Sequence, residues 1–168
     1  MIDLCGAPGG WTQYLAQKLP KSSKILLLDL AMVSLDDLEN VSCLQCDITT
    51  KDAVDQAKAF IAKQTPPIEG VDLVLSDCSP KMGGNYATDH ARQIYLAMHA
   101  FRIAVLLKAK VFVAKAFDGT DLSILKTLLT RGYEDLRIHK PKASRSSSAE
   151  LYLVAKGLKE GYLPPEDF

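Results

Sequence analysis

The sequence predicts an α/β domain with a mostly parallel, seven-stranded sheet and helices on both faces. Short apolar runs alternate with helix-length segments along the chain, as they do where parallel strands are joined by crossover helices. The length of 168 residues suits one domain with one substantial core. We therefore expect residues 1–168 to fold as a single unit.

The predicted strands are the short apolar runs, and the predicted helices are the longer segments between them. The strands cover residues 1–4, 24–28, 41–45, 71–76, 110–116, 133–139 and 150–155. The helices cover residues 9–19, 51–63, 88–107 and 122–130. Glycine, proline and serine predict loops at 80–87 and 140–148, and the tail 157–168 is predicted to be irregular.

The turn after the first predicted strand is glycine-rich. Gly6, Gly9 and Gly10 fall within five positions and let the backbone approach a ligand closely. Asp29 ends the next predicted strand, where a carboxylate suits a ribose diol. The turn has neither the G-x-G-x-x-G pattern nor the lysine of a phosphate-binding loop. This favours S-adenosylmethionine (SAM) over a dinucleotide, and the alternative is a plain strand-turn-helix connection.

A second candidate for nucleoside binding follows the third predicted strand. The Asp47 carboxylate could accept a hydrogen bond from an adenine amino group while Ile48 covers the ring. Asp47 or Thr49 could instead cap the helix that follows. The local sequence leaves both interpretations open.

Three ionisable residues at strand ends are candidates for catalysis. Lys115 ends a very apolar strand, where a lone ammonium is costly to bury without a paired acid. Asp77 closes the strand 71–76, and Glu150 begins the last one. A lysine flanked by carboxylates suits methyl transfer to a ribose hydroxyl, which requires alignment and the removal of one proton. The alternative for Lys115 is an ordinary surface lysine.

Composition bounds the possible partners. Twenty basic and twenty acidic residues give no net charge, so any contact with nucleic acid must be local. No apolar stretch reaches the length of a membrane span, and the N-terminus lacks the pattern of a signal peptide, so we expect an intracellular protein without membrane association.

The four cysteines, Cys5, Cys43, Cys46 and Cys78, are spread over strands and strand ends. This spacing predicts reduced, buried thiols rather than a disulfide framework. Cys43 and Cys46 form a C-x-x-C pair, but without a second pair or clustered histidines the sequence does not predict a metal site.

The motifs together resemble the FtsJ (RrmJ-like) family of SAM-dependent RNA 2′-O-ribose methyltransferases. The resemblance is carried, in order and spacing, by residues 3–11, 75–80, 89–93, 112–117 and 140–150. It covers nearly the whole chain and implies a Rossmann-like SAM-dependent methyltransferase fold. The implied substrate is structured RNA, ribosomal or transfer, in a protein that is cytoplasmic, or nucleolar if it acts on eukaryotic ribosomal RNA.

The resemblance also implies roles for individual residues. Asp77, Lys115 and Glu150 correspond to three members of the family's Lys-Asp-Lys-Glu tetrad, with Lys115 as proton acceptor. The first tetrad lysine, which precedes the glycine-rich turn in the family, has no counterpart, so the sequence indicates either a truncation or a loss of activity. The residues expected to contact SAM are Asp3, Gly6, Pro8, Gly9, Trp11, Asp29, Asp47, Ile48 and Asp77.

Basic residues in or near the two loop segments are candidates for gripping RNA phosphates. They are Lys81, Arg92, Arg137, Lys140, Lys142 and Arg145. Each alone is typical of a solvated surface, but together they flank Lys115 and favour RNA as partner of a monomeric enzyme. The rival hypotheses are a catalytically inactive SAM- or RNA-binding module and a small-molecule methyltransferase or dinucleotide enzyme that shares only the fold.

Overall fold

Seven strands form one mixed sheet in the computed structural model, which describes residues 1–68, 70–141 and 148–166. The strands are β1 Ile2–Leu4, β2 Ile25–Asp29, β3 Val41–Gln45, β4 Leu73–Ser76, β5 Val111–Phe117, β6 Tyr133–His139 and β7 Glu150–Leu158. The helices in the described ranges are α1 Gly10–Lys18, α2 Asp52–Ala62, α3 Tyr86–Leu106 and α4 Leu122–Gly132.

The strand order is β3-β2-β1-β4-β5-β7-β6, and this order positions the site. Strands β1 to β5 pair in parallel, while β7 runs antiparallel between β5 and β6. The order reverses at β1, which has β2 on one side and β4 on the other. Ligands of open α/β sheets bind at the carboxyl ends of the strands beside such a reversal. The predicted mostly parallel α/β sheet is confirmed.

The core lies on both faces of the sheet. Residues 25–28 of β2 are at most 1% exposed, although neighbouring side chains in a strand point to opposite faces. Both faces are therefore covered, as expected for parallel strands. On the face of α3, the Phe101 ring centroid lies 6.1 Å from that of Phe112 and 6.3 Å from that of Tyr133. Among the described residues, no helix has both the length and the apolar character needed to cross a bilayer.

Two of the differences between predicted and observed element boundaries have a clear physical reason. Helix α3 begins two residues earlier than predicted because Asn85 caps it, its side-chain oxygen accepting a hydrogen bond from the Thr88 N–H at 3.1 Å. Strand β7 continues to Leu158 rather than ending at residue 155, because the pairing with β6 extends to Tyr133 opposite Leu158. Part of the predicted irregular tail is therefore strand.

Candidate active site

The glycine-rich turn is a tight connection from β1 to α1. The Gly9 N–H donates to the Gly6 carbonyl at 2.6 Å, and Gly9 has a φ of 110° that disfavours any other residue. A Cβ at Gly6 would lie 2.7 Å from the Leu27 side chain, so only glycine permits this close packing. Pro8 and Trp11 are exposed, and no described residue comes within 4 Å of a Cβ added at Gly10. The open side of the turn is where a ligand can approach the backbone.

Asp29 fastens this turn to the end of β2. One carboxylate oxygen accepts from the Ala7 N–H at 3.0 Å, and the other accepts from the Ala31 N–H at 2.8 Å. A carboxylate oxygen has two lone pairs, so each keeps capacity for a further donor. Asp29 can therefore hold the glycine-rich turn and the loop after β2 and still accept a hydrogen bond from a ribose hydroxyl.

Asp3 lies beneath the glycine-rich turn and is fully buried. Its Oδ2 accepts from the Thr12 hydroxyl at 2.5 Å, while its Oδ1 has no hydrogen-bond partner within the described part of the chain. Burial raises the pKa of Asp3 to about 6. A buried acceptor without a donor fits a ligand that brings one, such as the ammonium group of SAM.

The loop after β3 separates the two interpretations of Asp47. Its Oδ1 accepts from the Thr49 N–H at 2.9 Å and from the Thr49 hydroxyl at 2.7 Å, and these hydrogen bonds lower the pKa of Asp47. Helix α2 begins only at Asp52, and no side chain of the described residues caps it, so Asp47 shapes the loop rather than capping the helix. Ile48 is 4% exposed and packs in the core.

Lys115 and Asp77 form the ion pair at the centre of the site. The Lys115 ammonium lies 3.3 Å from Asp77 Oδ1, and Lys115 is only 8% exposed. The acid that the sequence predicts for a buried lysine is present, and the surface-lysine alternative is wrong. Asp77 follows β4 and Lys115 lies in β5, so the pairing of these parallel neighbours brings the two side chains together.

Tyr152 completes this contact, and sequence reasoning missed it. Its hydroxyl donates to the same Asp77 oxygen at 2.8 Å, and its backbone pairs with Lys115 across β5 and β7. Burial and the Asp77 hydrogen bond raise the pKa of Tyr152 well above its ordinary value, so the phenol stays neutral and donates. The centroids of the Tyr152 and Trp11 rings are 6.1 Å apart, which connects the Lys115–Asp77 pair to the glycine-rich turn. The available signal was position: Tyr152 is two residues from Glu150 and shares its face of the strand.

Glu150 lies one pair further along the same ladder. It pairs with Phe117, while Tyr152 pairs with Lys115, so Glu150 is diagonal to Lys115 on the same face. In the parts of the chain that the structure describes, no ion pair joins Glu150 to Lys115. The three tetrad-like residues therefore share one face, with Asp77 in direct contact and Glu150 farther away.

Gln93 holds the backbone next to Asp77 and at Lys115, and the sequence did not single it out. Its amide nitrogen donates to the Cys78 carbonyl at 3.0 Å and to the Lys115 carbonyl at 2.9 Å. Gln93 is fully buried in α3, so the helix clamps the ends of β4 and β5 together. Its position within the family-like segment 89–93 was the only sequence signal for it.

The structure contradicts the prediction that all four cysteines are reduced. Cys5 and Cys78 form a disulfide, with their Cα atoms 5.0 Å apart. They follow the neighbouring strands β1 and β4, and this adjacency is invisible in a sequence that separates them by 73 residues. Cys46 is a buried free thiol as expected, and Cys43 is a half-buried one. Burial raises the pKa of both thiols.

The predicted RNA-binding residues that the structure describes lie on the surface. Lys81, Arg92 and Lys140 are exposed. Arg137 is also exposed, but it pairs with Asp135 at 2.9 Å on the edge strand β6. Lys142 and Arg145 lie outside the described residues.

The chain is similar in sequence to known methyltransferases. The profile of the family described as FtsJ-like methyltransferase matches residues 1–158. Ribosomal RNA large subunit methyltransferase E of Halorubrum lacusprofundi is 38% identical over 160 residues, a match that covers 94% of this chain and 58% of the relative. The protein of the same name from Legionella pneumophila strain Corby is 36% identical over 159 residues, with 94% and 74% covered. The chain thus spans about three fifths of the length of the Halorubrum relative.

The fold is shared with a solved structure as well. A crystal structure described as a ribosomal RNA methyltransferase of Plasmodium falciparum superposes with a TM-score of 0.76. The match covers 94% of this chain and 85% of the other, at 21% sequence identity. At that identity the likeness establishes a common Rossmann-like methyltransferase architecture.

Proposed function

The chain belongs to the FtsJ-like methyltransferase family, and from that premise we propose that it transfers a methyl group from SAM to a ribose 2′-hydroxyl of ribosomal RNA. The observation that carries the proposal is the buried contact of Lys115 with Asp77 at the carboxyl edge of the sheet, next to the glycine-rich turn. The names of the relatives support ribosomal RNA over transfer RNA as the substrate.

The residues around the glycine-rich turn fit SAM. Asp29 has acceptor capacity for the ribose diol, and the unpartnered Asp3 oxygen suits the cationic amino-acid end. Asp47 Oδ1 is engaged by Thr49, and the second oxygen of the carboxylate suits an adenine amino group. When bound, SAM supplies a methyl group on a positively charged sulfur, so the receiving oxygen needs alignment and the loss of one proton.

Lys115 is the proposed acceptor of that proton. The Lys115 ammonium first releases a proton to solvent, and its neutral nitrogen then takes the proton of the attacking 2′-hydroxyl. The ammonium that forms again is held by Asp77. The Tyr152 hydroxyl donates to the same Asp77 oxygen and fixes the carboxylate in place. Asp77 and Tyr152 therefore position Lys115, and Glu150 lies where it can contact the ribose.

The activity is tested with SAM that carries a labelled methyl group and undermethylated large-subunit ribosomal RNA. We expect label in 2′-O-methylated nucleosides after complete nuclease digestion and mass spectrometry. Label on a base would contradict the ribose assignment. Absence of transfer, with SAM still bound in calorimetry, would support an inactive binding module instead.

The Asp29→Ala variant is expected to bind SAM more weakly by about 1.5–3 kcal/mol, the range for a hydrogen bond to a charged group. The loss has two sources, the ribose contact and the Ala7 N–H that Asp29 holds. Isothermal titration calorimetry measures it. Asp135→Ala is the matched control, because it removes a carboxylate from the distant edge strand β6. An affinity equal to that of the control would exclude Asp29 from the SAM site.

Replacing Lys81, Arg92 and Lys140 together by alanine is expected to flatten the salt dependence of RNA binding. Loss of three phosphate contacts lowers the slope of log K against log salt by about 2 to 3. Filter binding at several salt concentrations gives this slope. A triple alanine variant at the exposed residues Lys21, Lys58 and Lys63 is the control and should retain the wild-type slope. Equal slopes for the two variants would show that the predicted residues do not hold phosphates.

A further inference from the structure

A cavity of about 410 Å³ opens beside the face of β5 and β7 that carries Lys115 and Glu150. Glu150 and Phe117, which pair across β7 and β5, line one side, and Met82 and Tyr86 line the other. Asp89, Ser148 and Ala149 complete the wall. None of these residues except Glu150 has a role in the mechanism above.

The pairing of β5 with β7 places the cavity relative to Lys115, the proposed proton acceptor. Lys115 and Phe117 are two residues apart in β5 and point to the same face, as do Glu150 and Tyr152 in β7. Two residues along a strand span roughly 6.6 Å. A ribose whose hydroxyl contacts Lys115 therefore lies next to the mouth of the cavity, on the same face of the sheet.

The outer wall offers an apolar surface to solvent. Met82 is 58% exposed and Tyr86 is 59% exposed, unlike the buried Phe117 opposite them. The Tyr86 ring lies parallel to the His90 ring, with an interplanar angle of 9°, and its hydroxyl donates to the Asp118 carbonyl. The ring is therefore held in one orientation while one side stays accessible.

Hydrogen bonds to Asp89 hold the loop that carries Met82. Asp89 is 1% exposed, and its two carboxylate oxygens accept from the Gly83 N–H at 2.8 Å and the Gly84 N–H at 3.1 Å. The charge of Asp89 is thus compensated by the backbone and does not call for a cationic ligand. The cavity suits a flat, neutral and largely apolar ligand.

We propose that this cavity receives the base of the ribonucleotide whose 2′-hydroxyl is methylated, stacked against Tyr86 and Met82. The assignment rests on the proposed function, because it places the ribose at Lys115. Aromatic side chains bind bases by stacking on their flat faces, and such stacking tolerates any base. Specificity for one base then falls to polar groups of the wall, where Ser148 presents a hydroxyl.

Crosslinking tests the position directly. Transcribed large-subunit ribosomal RNA that carries 4-thiouridine and 6-thioguanosine is bound to the full chain with S-adenosylhomocysteine and irradiated. Mass spectrometry should locate crosslinks at residues 82–86. We expect Tyr86→Ala to lose them, Tyr86→Phe to retain them because the ring remains, and Tyr95→Ala to retain them. Tyr95 is the matched control, an exposed tyrosine further along the same helix.

Kinetics provides the second readout. Tyr86→Ala and Met82→Ala should each lower kcat/KM for RNA by about tenfold or more, the loss typical of one stacking contact. SAM affinity should stay unchanged in both, which shows that the variants are folded. If Tyr86→Ala behaves like Tyr95→Ala in crosslinking and turnover, the cavity does not hold the base.

The two hypotheses fail differently. Crosslinks at 82–86 in a chain that transfers no methyl group would overturn the proposed function and show only that the cavity binds an RNA base. Methyl transfer to ribose without crosslinks at 82–86 would overturn the base site alone. Absence of methyl transfer together with absence of crosslinks at 82–86 would overturn the proposed function and the base site.

Discussion

Replacing Lys115 with alanine is expected to lower methyl transfer by about 10²- to 10⁴-fold, the contribution typical of a positioned proton acceptor. SAM affinity should stay within a few-fold of wild type, because Lys115 pairs with Asp77 and the change leaves the glycine-rich turn and Asp29 in place. Asp77 keeps its hydrogen bond from Tyr152 in the variant, so the carboxylate remains held. Single-turnover transfer of labelled methyl groups to RNA, together with calorimetry for SAM, measures both quantities.

Lys110→Ala is the matched control for this experiment. Lys110 precedes the same strand and pairs with Asp72 at 2.7 Å, but both side chains are exposed at the opposite edge of the sheet. Its removal should leave transfer unchanged, since an exposed pair contributes little to stability. Turnover by Lys115→Ala at the level of this control would refute the assignment of Lys115 as proton acceptor.

The second large effect is expected for stability. Burial raises the pKa of Asp3 to about 6 in the folded protein, against about 3.9 for an unfolded aspartate. The folded state therefore retains a proton that the unfolded state releases, and wild type loses stability as the pH rises from about 4 to about 6. A shift of about two pH units corresponds to about 3 kcal/mol. Asp3→Asn has no proton to lose and should not show this decline.

Urea denaturation between pH 4 and pH 7 measures the difference in unfolding free energy between Asp3→Asn and wild type. We expect it to change by about 2 kcal/mol in favour of the variant across this range, because the unfolded aspartate is already half ionised at pH 4. Asp72→Asn is the control. The Lys110 hydrogen bond lowers the pKa of Asp72, so the small stabilisation from this exposed pair is lost as the pH falls rather than as it rises. Parallel profiles for Asp3→Asn and wild type would exclude a raised pKa at Asp3.

The charge on Asp3 has a consequence for ligand binding. Within the described residues, Asp3 Oδ1 has no hydrogen-bond donor, so the charge of this buried carboxylate costs stability at neutral pH. Under the proposed function, the ammonium group of SAM pairs with that oxygen and recovers the cost. Asp3→Asn should therefore be more stable than wild type near pH 7 and bind SAM less tightly, an exchange of stability for function.

The sequence by itself determined the fold class and predicted the edge of the sheet at which the candidate site lies. Alternation of apolar runs with helix-length segments depends only on neighbouring residues, and so does the glycine-rich turn with its φ of 110° at Gly9. The cost of burying the Lys115 ammonium predicted an acidic partner before any contact was visible. These features are local, so they can be recognised in a single chain.

The tertiary structure alone decided which side chains meet. Tyr152 reaches Asp77 across 75 residues, and Cys5 reaches Cys78 across 73, because β7 pairs with β5 and β4 with β1. The antiparallel register of β7 also puts Glu150 diagonal to Lys115 rather than beside it. Strand order and register come from packing the whole core, and no local pattern specifies them. The chemistry of each residue was readable in the sequence, and its partner was not.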